Sequence, residues 1–189
     1  MKRFRILVET VDHDKINFDQ SPQTHTSDEE AFHQSHAPNT SDSNHTNAIR
    51  AYTTNSTQYN KHLWGVEDHG LNSKIDNVSA GLKSAAPAHA DFHVYTGLNA
   101  NKNKIVKGDL HVPAFTSTST SIHRAAKFVE PNKNRHTEEY HPDENGNMVK
   151  HTVHHILKVN VKKGQQVGAY VANHSNYAAE NEFLINKGH

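Results

Sequence analysis

The apolar residues of this chain are few and unevenly distributed, which limits the folds available to it. Hydrophobic residues make up 33% of its 189 positions, so a core can form only where they concentrate. Residues 3–8 form one short apolar run, whereas residues 12–47 are mostly Asp, Ser, Thr, Asn, Gln and His. We therefore predict a strand and a polar, disordered arm over residues 1–45, followed by one folded domain over residues 46–189.

The folded part begins with two helical patterns. Apolar residues recur at helical spacing from Ile49 to Leu63, with Thr46 as a candidate N-cap and Gly65 as a candidate stop. A second pattern, from Leu71 to Leu82, has the spacing of an amphipathic helix that ends before Pro87. We therefore predict two helices before the remaining elements.

After these helices the sequence favours strands, interrupted by one helix over residues 121–129. Short segments rich in β-branched or aromatic residues predict strands at 92–98, 112–116, 153–161, 166–171 and 182–185. The order of elements predicts an α+β fold with its helices first.

Charge and composition exclude several functions. Lys and Arg total 20, as do Asp and Glu, so no net basic field favours nucleic acid or an anionic membrane, and we expect neither as a direct partner. The absence of cysteine excludes disulfides, thiolate catalysis and cysteine-based zinc sites. The apolar run near the start is too short for a signal peptide or a membrane span, so we expect a soluble protein in an intracellular or virion setting.

Three short motifs carry the candidate chemistry. Tyr95-Thr96-Gly97 ends a predicted strand in glycine, which lets a ligand approach the backbone or makes a plain turn. The run from Phe115 to Ser119 leaves a strand and leads into a helix, and its hydroxyls either bind a ligand or cap the backbone. Glu180-Asn181-Glu182, if extended, places both carboxylates on one face, where one could stabilise a cationic sugar and the other take a proton from a nucleophile.

In order and spacing, these motifs resemble those of the mono-ADP-ribosyltransferases of the Arg-Ser-Glu class, which include bacterial exoenzyme toxins and phage-encoded enzymes. That family has Tyr-Arg-Gly on a first strand, Phe-x-Ser-Thr-Ser on a second and Glu-x-Glu on a late strand. Flanking segments are similar too, at residues 48–52, 125–128, 156–159 and 163–164. The resemblance covers residues 46–189 and implies an ADP-ribosyltransferase-like fold with N-terminal helices packed on a mixed two-sheet β core.

The resemblance also implies a reaction, in which ADP-ribose moves from NAD to a protein side chain and nicotinamide is released. Glu182 would be the catalytic glutamate, bonding a ribose hydroxyl and stabilising the oxocarbenium state. Glu180 would activate the acceptor, and a glutamate at that position accompanies arginine as the acceptor in the family. Ser117 would position the nicotinamide end of NAD and orient Glu182, while Thr118 and Ser119 would support the strand.

The acceptor side of the site is implied by the segment 173–179, which corresponds to the substrate-recognition loop of the family. Asn176 and Tyr177 would face the target there, although an ordinary packed role for Tyr177 is an equal alternative. The expected partner is a protein acceptor. If the chain is phage-encoded, we expect this acceptor to be a host protein in the host cytoplasm. NAD is expected as a substrate, and no metal is expected.

One position departs from the family pattern, because Thr96 stands where the family has the arginine that holds NAD. A threonine cannot supply a guanidinium fork to phosphate oxygens. Three explanations are open: another cation such as Arg124, Lys102 or Lys104 binds NAD, the chain is inactivated, or it kept the fold and lost turnover. We favour the first, since the glutamates and the Ser-Thr-Ser run remain, and assign NAD binding to Tyr95, Thr96, Gly97, Ser117, Thr118, Ser119 and Arg124. The rival functions are a transferase-fold virion or interaction module and an NAD glycohydrolase.

Two further features remain outside this assignment. The family continues past the position of Gly188 into one more core strand, so either the domain is trimmed or Arg3 to Val8 fills that edge. Of the eighteen histidines, His151, His154 and His155 lie together, but neighbours on a strand point to opposite faces and the rest lack zinc-site spacing. We therefore expect no metal site among them.

Overall fold

The computed structural model of the chain describes residues 6–12, 27–39, 41–97, 112–127 and 136–188; for 6–12, 27–29, 136–139, 141 and 151–155 the backbone alone is described. Its helices are α1 (Ser27–Ser35), α2 (Ser43–Thr54), α3 (Ser56–Leu63), α4 (Asn72–Lys83) and α5 (Ile122–Lys127). Its strands are β1 (Ile6–Asp12), β2 (Phe92–Gly97), β3 (Thr116–Ser119), β4 (His136–Pro142), β5 (Met148–Val161), β6 (Gly168–Tyr170) and β7 (Glu182–Ile185). Short 3₁₀ turns span Ala172–His174 and Ala178–Glu180. The predicted α+β class is confirmed.

The strands form one sheet in the order β1-β5-β2-β3-β7-β6, with β4 also paired to β5. Every pairing among these described strands is antiparallel, so they make one continuous antiparallel sheet where the resemblance implied a mixed, two-sheet core. Strand β5 is long enough to pair with three neighbours at different points along its length. Its pairing with β2 places the Tyr95-Thr96-Gly97 motif near the centre of the sheet.

Helices α2, α3 and α4 cover one face of the sheet. Ile49, Tyr52 and Leu82 from these helices are fully buried against Leu184 of β7. The neighbours of Leu184 in β7, namely Phe183 and Ile185, belong to a second buried cluster with Val94, Leu157, Val159 and Val161. Because successive side chains of a strand point to opposite faces, β7 is buried on both sides and anchors the core.

The first predicted helix is wrong as a single element, because the chain breaks it in two. Helix α2 starts earlier than Thr46 and is capped by Asp42, whose Oδ1 accepts a hydrogen bond from the backbone N–H of Asn44 at 2.8 Å. Asn55 then leaves helical geometry with φ of −142°, which ends α2 and begins α3. The predicted stop at Gly65 follows α3, and Gly65 has a positive φ of 68°. The second predicted helix corresponds to α4.

The predicted strands are found, three of them with shifted bounds. The segment 112–116 becomes a strand only at Thr116, so the hydroxyl-rich run lies on β3 itself and not after it. The segments 153–161 and 166–171 become residues 148–161 and 168–170. The predicted helix 121–129 is α5, and Leu98 and Val129 lie outside the described residues.

The predicted polar arm is only partly as expected. Residues 13–26 lie outside the described residues, but α1 follows them and carries the buried His33, and His36, directly after the helix, is buried too. The Phe32 ring packs edge-on against Phe92 of β2, with centroids 4.6 Å apart. These aromatic rings supply apolar area that the polar composition of the segment conceals. The predicted N-terminal strand lies at Ile6–Asp12 and pairs with β5.

No helix in the described segments has the length and apolar character needed to cross a lipid bilayer.

Candidate active site

A cleft of about 280 Å³ lies between strands β2, β3 and β7 and the helical layer. It brings together the three motifs found in the sequence. The residues that line it are Tyr95, Thr96, Gly97, Ser117, Thr118, Ser119, Glu180 and Glu182, together with Thr53 and Ser56 from the ends of α2 and α3. Residues far apart in the chain thus form one polar concave surface in a largely apolar layer.

Antiparallel pairing of β3 with β7 sets the relative positions of the hydroxyls and the carboxylate. Ser119 lies opposite Glu182, and both are buried. The Ser119 hydroxyl donates to the backbone carbonyl of Glu180 at 2.9 Å, and the Thr118 hydroxyl donates to that of Phe183. These two hydroxyls bond to the backbone of the β7 segment, whereas Ser117 is exposed to the cleft.

Glu182 is a buried carboxyl group, with only 5% of the residue exposed. Burial disfavours its charged form and raises its pKa to about 7. A hydrogen bond from the Ser117 hydroxyl opposes this rise in pKa, and the nearby charge of Glu180 adds to it. Glu182 therefore changes its charge near neutral pH, which is typical of catalytic carboxyl groups.

The geometry of Glu180 differs from the prediction that both glutamates lie on one strand face. Glu180 ends a 3₁₀ turn, and Asn181 has a left-handed backbone with φ of 50°, so extended pairing begins only at Glu182. Asparagine is one of the few residues that adopt this conformation readily. Both carboxylates still reach the same cleft. Burial raises the pKa of Glu180, and the positive charge of Arg124 opposes that rise.

Tyr52 is a site residue that the sequence identified only as part of a helix core. It is fully buried between Tyr59 and Phe115, and its hydroxyl donates to the backbone carbonyl of Phe115 at 3.5 Å. Ser117 is close enough for its hydroxyl to lower the pKa of Tyr52, against the larger effect of burial. The side-chain amide of Asn60 donates to the Tyr52 hydroxyl at 3.4 Å. Burial holds the pKa of Tyr52 well above its usual range, so the phenol stays protonated. A hydroxyl group beneath Ser117 therefore links helix α2 to the carboxylate.

The sequence pattern does not indicate Thr53 and Ser56 as site residues, because it predicts one continuous helix between Thr46 and Gly65. The sequence Thr-Thr-Asn-Ser at 53–56 contains only residue types that favour helix ends, which is the signal that could have located the break. In the structure the hydroxyls of Thr53 and Thr54 both donate to the carbonyl of Arg50, at 3.0 and 2.9 Å.

The cations near the cleft differ in position. Thr96 lines it without supplying charge, and Arg124 does not line it but lies close enough for its charge to act on Glu180. Arg50 on α2 is a further cation, which the sequence did not indicate. Burial of His174 and, to a smaller extent, the charge of Arg50 lower the pKa of His174. Lys102 and Lys104 lie outside the described residues.

The predicted substrate-recognition segment borders the cleft without lining it. The side-chain amide of Asn176 donates to the Thr54 hydroxyl at 3.0 Å, which ties this segment to the end of α2. Tyr177 is 50% exposed and is therefore not an ordinary packed tyrosine.

Histidine and carboxylate side chains form no group of three or more that could hold a metal within the described part of the chain. The side chains of His151, His154 and His155 are not among those described.

The family model for the ADP-ribosyltransferase exoenzymes matches residues 27–189. The chain belongs to the ADP-ribosyltransferase exoenzyme family. This match confirms the resemblance drawn from the three motifs and extends it to α1, which the resemblance over residues 46–189 had left out. Enzymes of this family use NAD as the donor of ADP-ribose.

Solved structures of ADP-ribosyltransferase toxins are similar to this exoenzyme-family chain. Plx2a, a toxin from Paenibacillus larvae, is 18% identical, with 76% of this chain and 72% of that chain covered and a TM-score of 0.50. The Vis toxin from Vibrio splendidus is 21% identical, with 90% and 80% covered and a TM-score of 0.48. A complex of Vis with agmatine is 20% identical, with 92% and 80% covered and a TM-score of 0.49. No curated protein matches the chain. The likeness to Plx2a shows a shared fold.

Proposed function

We propose that this protein transfers ADP-ribose from NAD to an arginine side chain of an acceptor protein and releases nicotinamide. The observation that carries the proposal is the buried carboxyl of Glu182, with its pKa raised to about 7, beside Ser117 and a second carboxyl in one cleft. A buried carboxylate that interacts with a hydroxyl suits a ribose, and the adjoining hydroxyl-lined surface suits a polar nucleotide. NAD supplies the ADP-ribose group and a nicotinamide that can leave.

Glu182 is the catalytic residue on the donor side. Its ionised carboxylate accepts a hydrogen bond from a ribose hydroxyl, and its charge stabilises the positive charge that develops on the sugar as nicotinamide departs. Because Glu182 is removed from solvent, this attraction is stronger than it would be in water. Ser117 orients the carboxylate and favours its charged form through their hydrogen bond.

Glu180 acts on the acceptor. A guanidinium group is protonated at any ordinary pH, so a carboxylate both pairs with it and takes the proton that it must lose when it attacks the sugar. Partial burial raises the pKa of Glu180 and makes its carboxylate a better base. Asn176, which is bonded to Thr54 at the end of α2, and the exposed Tyr177 contact the acceptor, for which we propose a host protein.

Arg124 takes over the NAD-binding role that Thr96 cannot perform. Its charge already acts on Glu180, so its guanidinium lies close to the cleft that Tyr95, Thr96 and Gly97 line. We expect Arg124→Gln to raise the NAD concentration needed for half-maximal rate by about tenfold, since a charged hydrogen bond to phosphate is lost. The matched control is Lys127→Gln, which removes a charge from the same helix. Equal NAD requirements in both variants would assign the role to another cation.

The decisive experiment combines NAD labelled in its adenylate part with agmatine, a small guanidinium compound, or with a host-cell lysate. Nicotinamide release, labelled agmatine and labelled protein are measured for the wild type and two variants. Glu182→Gln should lose all three products, whereas Glu180→Gln should lose labelling but keep slow nicotinamide release, because water can still attack the sugar.

The outcome separates this proposal from its two rivals. Free ADP-ribose from the wild type, with neither agmatine nor protein labelled, would identify an NAD glycohydrolase. NAD binding without nicotinamide release would identify a binding module without turnover, which the loss of the family arginine at Thr96 favours as the second candidate function.

A further inference from the structure

Asn181 separates the two glutamates of the cleft and accepts hydrogen bonds from two residues outside its own turn. Its side-chain oxygen accepts a hydrogen bond from the hydroxyl of Tyr170 at 3.4 Å. Its backbone carbonyl accepts a hydrogen bond from the backbone N–H of Thr120 at 3.2 Å. Its backbone is left-handed, with φ of 50°, a conformation that asparagine adopts more readily than most residues but less readily than glycine. The turn therefore depends on the contacts that hold it.

His33 of α1 contacts both of the residues that hold Asn181. Its ring stacks on that of Tyr170, with centroids 3.8 Å apart and planes inclined by 3°. Its Nε2 atom lies 3.5 Å from the hydroxyl oxygen of Thr120. His33 is itself buried, with 7% of the residue exposed. His33, Tyr170, Asn181 and Thr120 thus form a closed ring of contacts, which we name the Asn181 clasp.

Helix α1 is docked by contacts that do not involve the side chain of His33. The backbone carbonyl of His36 accepts a hydrogen bond from the N–H of Tyr170 at 2.9 Å, which extends the β6 edge. The His36 ring stacks on Phe32 at 4.1 Å and makes no contact with the clasp among those described. Changes at His33 and His36 therefore separate the effect of the clasp from that of docking the helix.

We propose that His33 is a positioning residue for the glutamate pair, acting through Tyr170 and Thr120 on Asn181. The clasp fixes the turn between Glu180 and Glu182 and so sets where each carboxylate points. It also keeps water away from the first residue of β7, the buried Glu182. The catalytic consequence rests on the proposed function, whereas the effect on the surroundings of Glu182 does not.

The first test measures transfer to agmatine by full-length variants. In His33→Ala we expect kcat to fall by about tenfold or more, because carboxylates that are slightly misplaced lose much of their effect. The KM for NAD should change by less than about threefold, since the residues of β2 that line the cleft are not altered. His33→Phe keeps the stacked ring and should recover part of kcat, and His36→Phe should behave as the wild type.

The second test needs no activity. Carbon-13 NMR of labelled glutamate carboxyls, with Glu182 assigned by its loss in Glu182→Gln, gives the titration midpoint of Glu182. In His33→Ala this midpoint should fall by more than about half a pH unit, because a loosened turn admits water and favours the charged form. His36→Phe should leave it unchanged. Tyr170→Phe, which removes only the hydroxyl bound to Asn181, should move it in the same direction and serves in place of His33→Ala if that variant does not fold.

The two tests distinguish failure of the inference from failure of the proposed function. If the wild type neither releases nicotinamide nor labels agmatine, the proposed function fails while the titration still decides the role of His33. If His33→Ala and Tyr170→Phe leave both kcat and the Glu182 midpoint at wild-type values, the positioning role is overturned. A fall in kcat that His36→Phe matches would also overturn it, because the effect would then come from docking α1.

Discussion

Replacing Glu182 with glutamine should stabilise the folded protein at alkaline pH. Burial raises the pKa of Glu182 from 4.5 to about 7, so the folded state binds this proton more tightly than the unfolded chain does. Stability is therefore lost as the pH rises from the unfolded pKa through the folded one. A pKa shift of this size lowers the free energy of unfolding of the wild type by about 3 kcal/mol above neutral pH. Near pH 5, where the folded carboxyl is still protonated, the loss is less than about 1 kcal/mol.

Urea and thermal unfolding at about pH 5 and about pH 8 measure this cost. At the higher pH we expect Glu182→Gln to be more stable than the wild type by up to about 3 kcal/mol, or about 6–12 °C in Tm for a chain of this length. Near pH 5 the two proteins should differ by less than about 1 kcal/mol. Glu144→Gln is the matched control, since Glu144 is exposed in the β4–β5 turn. Equal stability of wild type and variant at the higher pH would refute the reasoning.

Three further predictions follow from the cleft and the sheet. Transfer should rise about tenfold between pH 6 and pH 8, because Glu182 acts in its ionised form and its pKa is about 7; a flat profile over this range would contradict its role. Tyr52→Phe removes the hydroxyl that interacts with Ser117 and bonds Phe115 and Asn60, so kcat should fall by about three- to tenfold and stability by about 1 kcal/mol, and wild-type kcat would show that the link is dispensable. Gly168→Ala should destabilise the protein by about 2 kcal/mol or more, as a Cβ there would lie 2.1 Å from the carbonyl oxygen of Leu184; an unchanged urea midpoint would contradict the close approach of β6 and β7.

Local patterns of the sequence predicted the elements whose stability depends on local periodicity. The apolar spacing from Leu71 to Leu82 corresponds to α4, and β7 has the bounds predicted for it, Glu182–Ile185. Both signals are strong because each element is buried along a regular face or strand. The three motifs could likewise be matched in order, and the sheet brings their residues to one cleft.

The elements that escaped prediction depend on contacts between residues distant in the sequence. Helix α1 has a polar composition, and the buried residues on it and directly after it, His33 and His36, are histidines whose rings pack on Tyr170 and Phe92 of the sheet. The tripeptide Glu180-Asn181-Glu182 likewise does not predict the left-handed backbone at Asn181, since the contacts that support it come from Tyr170 and Thr120. A linear pattern records which residues are apolar, but not which distant partner satisfies a polar one.

The two carboxylates of the cleft stand on elements with unequal freedom to change. Glu182 begins β7, every side chain of which is buried, while Glu180 ends a turn in which no residue is buried. Mutations that reshape the turn would leave the core intact, whereas changes at the apolar positions of the strand, Phe183 to Ile185, would disrupt it. Related chains can therefore share the strand that carries the buried carboxyl and differ in the turn beside it. Sequence similarity over β7 is thus weak evidence that two relatives modify the same acceptor.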